Sequence, residues 1–129
     1  MPIMCIMKDT YEDFQHMNQI GWYQEFQKEI EQAQAARMAG NEGMARVCAR
    51  RAVGVIIGEY YRRNRVDLSK MGAYDRLNYL INQEVTSPEI RNVVAHFVQR
   101  VSPERDLPIQ VDLIIEARWL LTALLPNSQ

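Results

Sequence analysis

The run Ala52-Val-Gly-Val-Ile-Ile-Gly58 constrains this chain more than any other stretch. Set on a helix it is apolar nearly all round, and such a helix persists in water only when other helices surround it. The surrounding pattern places a buried central helix over about Glu42 to Arg63. Gly54 and Gly58 are four residues apart and share a face, so a neighbouring backbone can come close. In a lipid-spanning segment that spacing favours dimerisation. The short apolar length and flanking arginines instead predict close packing inside a bundle in water.

Glycines and prolines divide the rest into further helical blocks, while strand-like alternation and hairpin dipeptides such as Asn-Gly are scarce. A first helix is predicted over about Gly21 to Met38, with Tyr23, Phe26, Ile30, Ala33 and Arg37 at helical spacing. Gly40 supplies a left-handed stop and Asn41 an N-cap, so Ala39-Gly40-Asn41 reads as the corner of an antiparallel helical hairpin. A third helix is expected over Lys70 to Asn82, with Tyr74, Leu77 and Ile81 on one face. A fourth is expected over Pro88 to Val101, opened by Ser87-Pro88-Glu89 and closed by Ser102-Pro103. A fifth covers about Pro108 to Leu125. Its apolar surface exceeds one stripe, which predicts that part of it meets another subunit. The expectation is an all-α, up-and-down helical bundle of about five helices. Residues 1–18 form an arm or short helix, and 19–126 a single domain.

A chain of 129 residues leaves room for one domain. Its 47% hydrophobic and 24% charged residues are ordinary for a globular protein. The net charge of −1 gives no general pull toward nucleic acid or acidic membranes. Charge is nevertheless uneven: residues 37–65 hold seven arginines (37, 46, 50, 51, 62, 63 and 65) against two glutamates. Such a block either lines a phosphate groove or covers the edges of the second helix with its stems. No apolar run approaches the roughly 18 residues of a membrane span, and Met1 to Lys8 lacks the basic start of a secretory signal. Cys5 and Cys48 make neither a disulfide framework nor a zinc pattern. A soluble, reduced, cytoplasmic setting without membrane contact is expected.

Chemistry enters with the fourth helix, Glu89-Ile-Arg91-Asn92-Val-Val-Ala95-His96-Phe97. With Ile90 at zero on a helical wheel, Val93, Val94, Phe97 and Val101 form the core stripe, Arg91 falls near 100° and His96 near 240°. The two bracket a polar strip of Asn92, Ala95 and Gln99, and converge on one site only if a second helix joins them. Imidazole exchanges protons near neutrality, and a guanidinium matches phosphate oxygens. Together they suit phosphodiester cleavage in RNA. His96 would take the 2′-hydroxyl proton or give one to the leaving oxygen, Arg91 would steady the transition-state charge, and Asn92 would orient the histidine. That chemistry needs no metal and no cofactor. Arg50, Arg51 and Arg100 are candidate phosphate or RNA contacts.

Arg91-Asn92-x-x-x-His96 resembles the Arg-x(4–6)-His signature of the HEPN superfamily. The preceding hairpin is similar too, with Ala33-Gln-Ala-Ala-Arg-Met-Ala-Gly-Asn41 followed by Ala45-Arg-Val-Cys-Ala-Arg-Arg-Ala-Val53. The resemblance spans roughly residues 20 to 124 and implies a HEPN-like bundle, a homodimer with its site at the interface, and metal-independent RNase activity or nucleotide binding. It further implies a toxin–antitoxin or defence setting, with an antitoxin or nucleotidyltransferase as partner. Val98 stands where the toxin branch carries a tyrosine, and Gly54 where the nucleotidyltransferase-linked branch carries an acid.

Two other classes compete. A non-catalytic homodimeric interaction bundle needs no site at all. A helix-turn-helix DNA-binding protein would use residues 77–98, though the turn is long and lacks glycine. Glu12, Asp13 and His16 form a possible metal corner without a second ligand set. The Glu25/Glu29 pair is too little for a magnesium-dependent pyrophosphatase. Cys48 reads as core rather than nucleophile, and Trp22, Tyr23, Phe26, Tyr60 and Tyr61 as core and interface rather than a base-stacking platform.

Overall fold

The computed structural model describes residues 3–83, 86–99 and 111–126, with side chains from residue 21 onward. Five helices stand in order: α1 (Ile3–Met38), α2 (Glu42–Arg63), α3 (Ala73–Ile81), α4 (Pro88–His96) and α5 (Leu113–Leu124). There is no strand among the described residues. The protein is an all-α bundle. The first helix begins well before Gly21, and its backbone runs unbroken through most of the stretch expected as an arm or short helix, residues 1–18.

The hairpin corner forms as its residues dictate. Gly40 takes φ +80°, and the amides of Gly40 and Asn41 reach back to Arg37 and Ala36 carbonyls at 3.0 and 2.8 Å. These are the paired bonds that close a helix around a left-handed residue. The Asn41 side chain then accepts the Met44 amide at 3.0 Å and opens α2.

Central placement of α2 follows from its composition. Ala45, Cys48, Ala49, Ala52, Val53, Ile56, Ile57 and Tyr61 are buried, and α2 packs against α1, α3 and α5. Helix α1 meets it with Trp22, Phe26, Ile30 and Ala33. At that end Trp22 and Phe26 are buried and Tyr23 is half-buried. The two glycines act as their spacing predicts: a Cβ on Gly54 would lie 2.8 Å from the Ala73 Cβ, and one on Gly58 would collide with the Arg76 guanidinium.

Three expectations need correction. Tyr74 does not join the inner face of α3; it is 51% exposed, and Leu77 and Leu80 are the buried residues there. Helix α4 stops at His96 instead of Val101. Phe97 and Val98 close it through three-residue turns, and the Arg50 Nε–H caps the Phe97 carbonyl at 3.1 Å. Helix α5 starts at Leu113, where Asp112 accepts the amides of Ile114 and Ile115. Leu113, Ile114, Ala117, Leu120, Leu121 and Leu124 of α5 are buried within the chain, and Ile115 is 64% exposed.

Candidate functional site

Helix α4 presents the predicted residues in different settings. Ser87 accepts the Ile90 amide at 3.2 Å, so the helix starts where its capping residues place it. Val94 and Phe97 are buried, which fixes the rotation of the helix about its axis. That rotation leaves Asn92 exposed and Arg91 and His96 half-buried. The Arg91 Nε is covered and has no hydrogen-bond partner among the described residues.

His96 is held from another element. Its Nδ1 lies 2.8 and 3.0 Å from the two carboxylate oxygens of Glu116, in the first turn of α5. With Nδ1–H donating to the carboxylate, the tautomer is set and Nε2 carries the lone pair. A carboxylate behind an imidazole also stabilises the imidazolium formed when Nε2 takes a proton. The two side chains keep about a quarter and a fifth of their surface open, 25% and 18%. They are neither sealed in the core nor freely solvated.

The orienting role expected of Asn92 thus falls to Glu116; no Asn92–His96 bond occurs among the described residues. Glu116 was missed because nothing local ties it to His96, twenty residues away. A sequence signal existed: Glu116 is a lone carboxylate inside the apolar run Leu113-Ile-Ile-Glu-Ala117. An acid so placed calls for a partner.

The arginines disperse. Arg50 caps α4 one residue beyond His96, which brings its cation to the candidate site as a structural group. Arg51 is exposed and lines a hollow with Glu29 and Met71. Arg100 lies outside the described residues. Of the remaining basic block, Arg37 bridges Glu42 and Asp112 at 2.8 and 3.0 Å. Arg62 and Arg63 both hold Glu59 at 2.8 Å. Arg37, Arg62 and Arg63 are thus engaged in ion pairs and Arg50 in a helix cap.

Among the described residues no group of three or more metal-ligating side chains occurs. The Glu12-Asp13-His16 corner lies outside the described side chains. Cys48 is a buried free thiol, pushed up by burial and by Glu29. Within the described residues no helix is long and apolar enough to cross a membrane. Comparison with family models, curated proteins and solved structures finds no match. The functional reading therefore stands on the site's own chemistry.

Proposed function

We propose that this chain is a HEPN-like, metal-independent endoribonuclease, or an RNA- or nucleotide-binding relative of one, working as a homodimer in a toxin–antitoxin or defence system. The observation that carries the reading is the 2.8 Å contact between His96 Nδ1 and Glu116. It aims an imidazole of defined tautomer away from its carboxylate, the arrangement a general base requires.

In the proposed reaction Nε2 of His96 takes the proton of the ribose 2′-hydroxyl. The 2′-oxygen forms a bond to phosphorus and the bond to the 5′-oxygen breaks, leaving a cyclic phosphate. The 5′-oxygen leaves as a hydroxyl, taking its proton from imidazolium or water. Arg91 shares α4 with His96, about 7.5 Å away along the axis, and its Nε–H finds no acceptor among the described residues. A phosphate oxygen is an acceptor that completes it. A second copy would supply a second imidazole, so that one acts as base and the other as acid.

The test is cleavage of mixed RNA in EDTA. Wild type should cut, His96→Ala should not, and Glu116→Gln should cut about 10²- to 10⁴-fold more slowly with an altered pH profile and unchanged helicity. Equal cleavage by wild type and His96→Ala would remove the catalytic claim.

A second reading is the non-catalytic interaction bundle. It takes the His96–Glu116 contact as a strap between α4 and α5, and draws support from Arg50, Arg62 and Arg63 being engaged within the chain. It predicts intact RNA and a loss of stability in Glu116→Gln. For DNA binding the support is weaker, because the exposed α4 positions include Glu89 and Asn92 and Arg91 is half-buried.

A further inference from the structure

Two adjoining hollows run along α2, between α1 and the segment 67–76. They share Glu25, Val55 and Arg76 as lining. One, of about 190 Å³, extends toward Trp22, Glu59 and Arg62. The other, of about 220 Å³, is bounded by Glu29, Arg51 and Met71. Val55 of α2 lines both hollows of the trough, with Gly58 beside it in the first and Gly54 in the second.

Glu59 and Arg62, which line the first hollow, pair with each other at 2.8 Å, whereas the charges of the second form no ion pair among the described residues. Glu25 and Glu29 stand on successive turns of α1. Arg51 of α2 and Arg76 of α3 line the same hollow. Yet the ion pairs among the described residues lie elsewhere, on Glu42, Asp112, Glu59 and Glu116. Arg76 gives its protons to the carbonyls of Leu68, Met71 and Gly54 at 3.0–3.2 Å, which anchors the 68–72 segment but cancels no charge. Glu29 Oε2 is covered from water and accepts no hydrogen bond among the described residues. A covered carboxylate oxygen without a donor is a standing cost of the fold, and a donor brought by a ligand removes it.

We propose that this trough, chiefly the part between Glu29 and Arg51, binds a free α-amino acid. The ammonium group lies on Glu25 and Glu29, with one N–H directed to Glu29 Oε2. The α-carboxylate faces Arg51, with the charge of Arg76 beside it. The amino-acid side chain rests on Val55 and Met71. A space of about 220 Å³ is smaller than the roughly 300–1,000 Å³ that hold drug-sized ligands, and suits one amino acid. The mixture of charges selects the class. A diamine would satisfy the glutamates and face the two arginines unpaired, and a dicarboxylate would do the reverse. No trough residue belongs to the His96–Glu116 pair, so this inference stands or falls apart from the RNA reading.

The test is titration calorimetry of the 129-residue chain with each common L-amino acid, with putrescine and succinate as probes that carry charge of one sign only. A subset of amino acids should bind, chosen by side-chain fit, and neither probe should. Glu29→Gln keeps the side-chain shape and should weaken binding at least about tenfold, the lower range for a hydrogen bond to a charged group. Ligand-free Glu29→Gln should melt no lower than wild type, since Oε2 has no donor to lose. Arg51→Gln, at an exposed position with no described hydrogen bond, should weaken binding to the same extent and guards against a folding defect in the first variant. Absence of binding by every amino acid would overturn the proposal. So would equal binding by wild type and both variants, or tighter binding of putrescine or succinate.

Discussion

Arg65 holds φ +65°, the left-handed conformation that side chains resist. It ends α2 as Gly40 ends α1, with its own amide and that of Val66 reaching back to Arg62 and Tyr61 carbonyls at 3.1 and 2.8 Å. Arg65→Gly should therefore raise stability by about 1 kcal/mol, a balance of relieved strain against a looser unfolded chain. A urea midpoint measures it, and a lower midpoint would contradict the strain argument. Tyr61 offers a second case. It is buried between Tyr60 and Tyr79, with ring centroids 5.1 and 5.0 Å away, and its hydroxyl has no partner among the described residues. Burial, with smaller pushes from Tyr60 and Tyr79, raises its pKa to about 12. Tyr61→Phe keeps the ring contacts and discards the orphaned group, so it should match wild type or gain up to about 1 kcal/mol. A thermal melt that falls by several degrees would reveal a bond the structure lacks. At this level the sequence was legible wherever the physics is local. Asn41 and Ser87 cap amides three residues on, and both do so as read. Glu116 was illegible because its partner comes from another helix.

Helix α3 crosses α2 at a point that tolerates no added bulk. Gly54→Ala would bring its Cβ to 2.8 Å from the Ala73 Cβ and 3.0 Å from the Ala73 Cα. Alanine gains up to about 1 kcal/mol of helix propensity over glycine, and overpacking costs about 1–3 kcal/mol. Backbone lies behind Ala73, so steric cost outweighs propensity and the variant should be less stable. Gly58→Ala meets the Arg76 guanidinium instead, and by displacing it would weaken the anchor on the 68–72 segment. Hydrogen exchange separates the two: both variants should loosen α3, but only the second should expose the Arg76-bound segment. The same crossing explains which element boundaries could be read. The Gly54/Gly58 spacing announced a close neighbour, and the hairpin corner announced α1 and α2. The end of α4 could not be read, because Arg50 from α2 caps it at Phe97. Nor could the inward face of α3, since a nine-residue helix leaves its rotation to the packing of Leu77 and Leu80.

Across the whole bundle, acid should act through two carboxylates: Glu59, paired within the last turn of α2, and Asp112, which ties the start of α5 to the end of α1. Glu59 is 5% exposed; burial works to raise its pKa, but hydrogen bonds from Arg62 and Arg63 outweigh this and hold it below the ordinary value. Asp112 is governed likewise: burial raises it, and Arg37 with the Ile115 and Ile114 amides lowers it further. In both, the folded chain binds a proton less readily than the unfolded chain. Their stabilisation is therefore fully present above the ordinary carboxylate range near pH 4 and is lost as pH falls through the lowered native values. Each group contributes a slope of at most about 1.4 kcal/mol per pH unit in that window. Water screens the half-open Asp112 bridge to Arg37, with side chains 39% and 36% exposed, so Glu59 supplies the larger share. Urea unfolding from pH 7 to pH 3 should then show wild type losing stability more steeply than Glu59→Gln. The gap between them should be widest at neutral pH and narrow as acid begins to protonate Glu59 and release the two arginines. A gap that stays constant across the range would mean that Glu59 holds the end of α2 by packing and not by charge.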